Sequence, residues 1–269
     1  MIANINYVKN IMQDLRAKKK FGQNFLIDTN TVEKIAKLAC DSNLTTIEIG
    51  PGLGALTEQL LKYSKNVVAY EIDKDMYNIL TNTLKDKNLE VILNDFLDVD
   101  LSTYKEKINI CSNLPYYVTT PILFKIFESE LDINKITVMV QKEVGDRLAA
   151  SVGSEDYGAL SIEVQYLYDV KMEMNISKNV FYPQPNVDSA IISFVPKTER
   201  NKEYEQKLFS LIKNAFRMRR KTLNNNFKDI YSKETIDKIY NEMNLDKNIR
   251  AEQLSLNDYI EMCKVIYEG

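Results

Sequence analysis

Two kinds of hydrophobic patterning divide the chain. From about residue 30 to 168, short runs rich in Val and Ile alternate with helix-length segments such as 55–64, 74–86 and 119–130. The runs are "TTIEIG" (45–50), "NVVAYEID" (66–73), "LEVILND" (89–95), "INICSN" (108–113) and "KITVMVQ" (135–141). Apolar runs separated by helices are the signature of parallel strands buried on both faces, so an α/β sheet with helices on each side is predicted. "LSIEVQYLY" (160–168) and "SAIISFVP" (189–196) have no full helix between them and are expected to close the sheet as an antiparallel pair. After Pro196 the apolar positions recur at helical spacing only, in 208–218 (Leu208, Leu211, Ile212, Ala215), around Ile236 and Ile239, and in 256–266. The charged connector "KTERNKEYEQ" places a boundary near residue 200, giving a larger domain over 1–200 and a small helical one over 201–269.

A chain of 269 residues has room for both. No apolar run approaches the roughly 20 residues that span a bilayer. The stretch "MIANINYVKNIMQDLRAKKK" lacks the continuous apolar core of a signal peptide. Cys40, Cys111 and Cys263 are scattered and odd in number, with neither metal spacing nor a disulfide framework, so a reducing cytoplasmic location and no bound metal are expected. Histidine is absent, which removes Ser-His-Asp and Cys-His catalysis and the commonest ligand of catalytic zinc.

The net charge of −3 argues against a polyanionic partner, but the distribution does not. Between Asp14 and Asp28 stand Arg16, Lys18, Lys19 and Lys20 with no acid. Between Glu205 and Asp229 stand seven basic residues, again with no acid. Two basic patches on an acidic background suit a nucleic acid, and solvated helix faces would look the same.

In a doubly wound sheet ligands bind beyond the C-terminal strand ends. The first strand ends in "EIGPGLG", where Gly50, Gly52 and Gly54 allow a tight turn and close approach of a ligand to the backbone. The spacing is not that of a dinucleotide-binding turn, and Pro51 removes a donor, which disfavours a pyrophosphate. The second strand ends in Glu71, placed to accept from two ribose hydroxyls, and the third in Asp95, placed to accept from an adenine amine. A nucleoside without phosphates is implied, and S-adenosylmethionine fits.

The fourth strand runs into Asn113-Leu114-Pro115-Tyr116. An exocyclic adenine amine is a poor nucleophile because its lone pair is delocalised. The Asn113 side-chain oxygen and the Leu114 carbonyl can hold its two protons and direct the lone pair at a methyl sulfonium, which is catalysis by positioning. Tyr116 can stack on an extruded base. The same stretch also reads as a turn capping a helix from Thr119 or Thr120, and the two readings are compatible.

With these motifs in place the chain resembles the small-subunit ribosomal RNA adenine dimethyltransferases over nearly its whole length. The resemblance is carried by "KKKFGQNFLID" (18–28), "EIGPGLGALT" (48–57), "YEID" (70–73) and "SNLPYYVTTPI" (112–122). It continues in "VMVQKEVGDRL" (138–148), "DYGALSIEVQ" (156–165), "FYPQPNVDSAI" (181–191) and "FRMRRKTLNNNF" (216–227). It implies a seven-stranded, Rossmann-like class I methyltransferase sheet with a small all-helical C-terminal domain. It also implies dimethylation of two adjacent adenosines in a hairpin loop near the 3′ end of small-subunit rRNA during ribosome biogenesis.

By resemblance, Asn24, Leu26, Gly50, Gly52, Glu71, Asp95 and Asn113 contact S-adenosylmethionine. Asn113, Leu114 and Tyr116 position the base, and Phe181 covers its other face, although a core position under the loop would suit Phe181 equally. Lys213, Arg217, Arg220 or Lys221, and Asn224 would share one helix face toward RNA phosphates, with Arg219 in the same patch and Lys18, Lys19 and Lys20 near the mouth of the site. A monomer is expected, since no exposed apolar repeat marks a partner surface. The competing readings are a large-subunit rRNA methylase of the antibiotic-resistance type, a DNA adenine methylase, and a small-subunit assembly factor in which methylation is secondary.

Overall fold

In a computed structural model of the chain the described residues are 2–15, 23–197 and 200–267. They form two compact units, Met1–Gly145 with Lys171–Pro196, and Asp146–Val170 with Lys197–Gly269.

The first unit opens with α1 (Ile5–Leu15), the short strand β1 (Phe25–Leu26) and α2 (Thr29–Ala39). Asp28 starts α2 by accepting from the Thr31 amide at 2.9 Å. Alternation follows: β2 (Thr45–Ile49), α3 (Ala55–Tyr63), β3 (Asn66–Glu71), α4 (Lys74–Thr83), β4 (Leu89–Leu93), β5 (Ile108–Asn113), α5 (Thr119–Glu128), β6 (Ile133–Gln141) and α6 (Lys142–Leu148). Three further strands, β7 (Tyr168–Ile176), β8 (Phe181–Tyr182) and β9 (Ser189–Pro196), complete the set.

The main sheet has seven strands in the order β4-β3-β2-β5-β6-β9-β7. Its first five strands are parallel, and β9 joins β6 antiparallel. In β2, β3 and β5 nearly every residue is buried, because helices cover both faces. The order of connection reverses between β2 and β5. That switch point sets the turn after β2 between the end of β3, at Glu71, and the end of β5, at Asn113. A second, two-stranded sheet pairs β1 with β8 antiparallel, Phe25 opposite Tyr182 and Leu26 opposite Phe181.

The second unit is helical: α7 (Ala159–Leu167), α8 (Lys202–Ala215), α9 (Leu223–Phe227), α10 (Lys233–Glu242) and α11 (Leu256–Tyr267). Leu208, Leu211, Ile212 and Ala215 are buried in its core as their spacing predicts.

Three expectations are corrected. Residues 160–168 form a helix, not a strand. Their alternation is overridden because two of the polar members have main-chain partners: Ser161 Oγ donates to the Arg147 carbonyl at 2.6 Å and Gln165 Nε2 to that of Ala150 at 2.8 Å. The segment 146–170 accordingly groups with the helical unit rather than with residues 1–200, because Ala150, Tyr157 and Ile162 are buried in that unit's core. The basic stretch 213–224 is not one helix. α8 stops at Ala215 because buried Asn226 accepts the chain into a turn, its Nδ2 donating to the Ala215 carbonyl at 2.6 Å and its Oδ1 accepting from the Met218 amide at 3.1 Å.

Candidate active site

The turn after β2 places Gly50, Gly52 and Gly54 at positive φ, which L side chains rarely adopt. Gly52 is doubly constrained: a Cβ there would stand 3.1 Å from the Phe25 ring that packs over the turn. Glu71 is buried and both its oxygens are occupied by this backbone, Oε2 accepting from the Gly52 amide at 2.9 Å and Oε1 from the Asp73 amide at 2.8 Å. Burial pushes the Glu71 carboxyl above its ordinary range, and the backbone donors pull it partly back. Each oxygen keeps a second lone pair, so the carboxylate can still accept from a diol.

The loop after β5 hangs from the sheet. The Leu114 amide donates to the Met139 carbonyl at 3.1 Å and the Leu114 side chain is buried. The Asn113 Nδ2 donates to the Asn24 carbonyl at 3.3 Å. That bond settles which end of the amide is which, leaving Oδ1 as an acceptor. Tyr116 is held through a 2.8 Å bond between its hydroxyl and that of Ser189, the fully buried first residue of β9. Burial raises the Tyr116 phenol, so it stays neutral. Thr119 Oγ1 donates to the Pro115 carbonyl at 3.1 Å, so the loop also serves the start of α5.

A cleft at these strand ends is lined by Asn24, Leu26, Gly50, Gly52, Glu71, Asn113, Leu114 and Tyr116. It adjoins a second cavity of about 630 Å³. The two share Gln23, Asn24, Phe25, Leu53, Tyr116 and Tyr117, so a ligand in one faces a ligand in the other across Tyr116 and the β1 segment. The structure therefore brings together six of the seven residues expected around a nucleoside and three of the four expected around a base.

Asp95 is outside the cleft wall. It starts a short 3-10 turn by accepting from the Leu97 amide at 2.9 Å. Its charge, after burial and ahead of that of Glu71, raises the Tyr117 phenol, which sets Asp95 close to the mouth. Phe181 is 3% exposed, pairs with Leu26 across β1 and β8, and lines neither cavity. The structure keeps it in the core under the loop, the second of the two places the sequence allowed it. Among the basic residues, Lys213, Arg217, Arg219, Arg220 and Lys221 are exposed on the second unit. Arg217 pairs with Asp229 at 3.0 Å and Arg219 donates to the Glu155 carbonyl. Lys18, Lys19 and Lys20 lie outside the described residues.

Two wall residues were missed. Glu48 is 1% exposed, its Oε2 has no hydrogen-bond partner, and burial raises its carboxyl to about 8. An acid inside a buried strand, two residues before the glycine turn, was the available signal. Ile72 is 46% exposed beside Glu71 in the wall of the cleft. A bare apolar side chain in the wall of a cleft is a platform on which a flat ring can pack, and the position was legible in "YEID".

Known proteins resemble the chain over most of its length. A profile of the ribosomal RNA adenine dimethylase family matches residues 14–268. The chain is 43% identical to a ribosomal RNA small subunit methyltransferase A of Mycoplasma mobile over 90% of this chain and 95% of that protein. It is 43% identical to the protein of the same name from Bacillus mycoides over 98% and 97%. Among solved structures, a dimethyladenosine transferase from Plasmodium falciparum superposes with a TM-score of 0.76 at 25% identity, covering 88% of this chain and 95% of that one. The 23S rRNA methyltransferase ErmE shares the fold, with a TM-score of 0.75 at 23% identity over 90% and 99%.

Proposed function

The chain belongs to the ribosomal RNA adenine dimethylase family, and from that premise we propose that it dimethylates the 6-amino groups of two adjacent adenosines in a hairpin loop near the 3′ end of small-subunit rRNA. The small subunit, rather than the large, is supported by the names of the relatives 43% identical over most of the chain. S-adenosylmethionine is the methyl donor, the immature small-subunit particle is the substrate in the cytoplasm, and the enzyme acts as a monomer.

The donor set suits that cofactor. Two buried acids, Glu48 and Glu71, one with an unpartnered oxygen, match a cationic nucleoside and not a phosphorylated one. Gly50 and Gly52 admit it to the backbone, and Asn24, Leu26 and Ile72 complete the wall, with Asp95 near the mouth. When bound, S-adenosylmethionine supplies an electrophilic methyl group.

The observation that carries the mechanism is the Asn113 amide in the wall of the cleft, whose Nδ2 donates to the Asn24 carbonyl and leaves its oxygen as an acceptor. Asn113 Oδ1 and the Leu114 carbonyl accept the two amine hydrogens of the target adenine and hold its nitrogen lone pair toward the methyl group. Tyr116, in the wall common to both cavities, stacks on the extruded base. The nitrogen held by Asn113 and Leu114 could take the methyl group that S-adenosylmethionine would supply when bound, and its extra proton would have water to go to. No imidazole is required. On the second unit, Lys213, Arg217, Arg219, Arg220 and Lys221 contact rRNA phosphates and, with Lys18, Lys19 and Lys20, position the particle without reading its sequence.

The test is methyl transfer from labelled S-adenosylmethionine to under-methylated small and large ribosomal subunits, followed by digestion to nucleosides. Dimethyladenosine on the small subunit alone is expected. Label on the large subunit would make the protein a large-subunit methylase. No label, with small subunits still bound, would leave an assembly factor.

A further inference from the structure

The cavity beyond Tyr116 has a polar wall residue with no role so far: Gln141, the last residue of β6. In the antiparallel ladder of β6 and β9, Gln141 stands directly opposite Ser189. Residues opposite one another in such a ladder project from the same face. The Ser189 hydroxyl meets the Tyr116 hydroxyl at 2.8 Å, so the Gln141 amide rises from the sheet on the side where the Tyr116 phenol lies. Two residues earlier in the same strand, the Met139 carbonyl anchors the Leu114 amide. One strand end thus carries the base-holding loop and presents an amide to the cavity that the loop faces.

Adenine held by its 6-amino group and stacked on Tyr116 has only ring nitrogens left for hydrogen bonding, and all of them are acceptors. N1 shares the Watson–Crick edge with the amine, the edge by which extruded bases are read. Guanine carries a hydrogen at N1, so a donor at that point favours adenine.

We propose that Gln141 is a substrate-contacting residue whose Nε2 donates a hydrogen bond to N1 of the target adenine and so selects adenine over guanine. The assignment rests on the adenine-dimethylation reading above and adds a recognition contact to it. Gln141→Leu removes the amide at similar volume, and Gln141→Glu removes the donor while keeping the shape.

Transfer would be measured on under-methylated small subunits and on subunits reconstituted with 1-deazaadenosine or 7-deazaadenosine at the target, with cofactor affinity and thermal melting recorded for every protein. The expected result is a loss of about tenfold in transfer for both variants on the natural substrate, the scale of one hydrogen bond, with cofactor affinity unchanged. The unsubstituted protein should lose about the same factor on the 1-deaza substrate and nothing on the 7-deaza substrate, while the variants are indifferent to 1-deaza substitution. Full activity in both variants, or variants as sensitive to 1-deaza substitution as the unsubstituted protein, overturns the proposal. If the unsubstituted protein forms no dimethyladenosine on natural subunits, the underlying reading fails first and takes this contact with it.

Discussion

Glu48 makes a pH-dependent cost visible. The carboxyl is buried in β2 beneath the glycine turn, and one of its oxygens lacks a partner. Burial is the leading cause that raises the group from 4.5 to about 8, with the field of Glu71 adding to it. The folded state therefore binds the proton more tightly than the unfolded state. Between about pH 4.5 and 8 the folded protein carries more protons at this site, so stability falls as pH rises through that window. With the carboxyl raised to about 8, the cost of ionising it in the folded state has an upper limit of about 5 kcal/mol, at about 1.4 kcal/mol for each tenfold change in proton affinity. Glu48→Gln keeps the shape and abolishes the titration.

The assay is urea unfolding of both proteins from pH 5 to 9. Other buried acids contribute to each curve: the contribution of Glu163 cancels in the difference, while Glu71, coupled to Glu48, adds its share of the coupling to it. The variant should match the parent near pH 5 and exceed it by several kcal/mol at pH 9. Because a cation in the cleft offsets the cost of an ionised Glu48, saturating S-adenosylmethionine should flatten the parent's curve in the same window. Parallel curves for the two proteins across the whole range would show that Glu48 is solvated or already ionised, and the reasoning would fail.

Four other perturbations address the site and the exposed basic residues of the second unit. Asn113→Ala should abolish methyl transfer while small-subunit binding stays within a few-fold, measured by labelled transfer and filter binding; residual transfer near the parent's rate would sink the amine clamp. Glu71→Ala should weaken cofactor binding by roughly 10- to 150-fold, the loss of one charge-assisted hydrogen bond of about 1.5–3 kcal/mol, read by calorimetric titration. Ser189→Ala frees the Tyr116 hydroxyl and should slow turnover two- to tenfold, about 0.5–1.5 kcal/mol, with cofactor affinity unchanged and no further loss when combined with Tyr116→Phe. Reversing the charges of Arg219, Arg220 and Lys221 should weaken RNA binding and flatten its salt dependence, the slope falling by about one for each phosphate left without its cation; an unaltered slope would put the RNA elsewhere.

The parts of the fold that periodicity revealed are those where burial alone decides. β2, β3 and β5 are buried on both faces, so their apolar runs could only be central strands, and each strand end then located a site residue by topology. Glu71 and Asn113 were legible for that reason, one on either side of the turn at Gly50. Asp95 was placed by the same rule but sits further out, because its side chain is committed to the Leu97 amide. Phe181 could not be decided from sequence, since its place depends on a two-residue pairing with β1 that carries no periodic signal.

Where the reading failed, a polar side chain had taken over a main-chain bond. In α7 the alternation of Leu160, Ser161, Ile162, Glu163, Val164 and Gln165 is that of a half-exposed strand, yet Ser161 and Gln165 bind the carbonyls of Arg147 and Ala150 and are satisfied as part of a helix. At the end of α8, Asn226 reaches eleven residues back to the Ala215 carbonyl and breaks what the spacing of Lys213, Arg217 and Arg220 presented as one continuous face. Neither bond is visible to a window of apolar residues, because in both the partner is a backbone atom fixed by tertiary contact. A straight helix would have spread its cations along one stripe, whereas the Asn226-bound turn holds Arg219, Arg220 and Lys221 outside any helix.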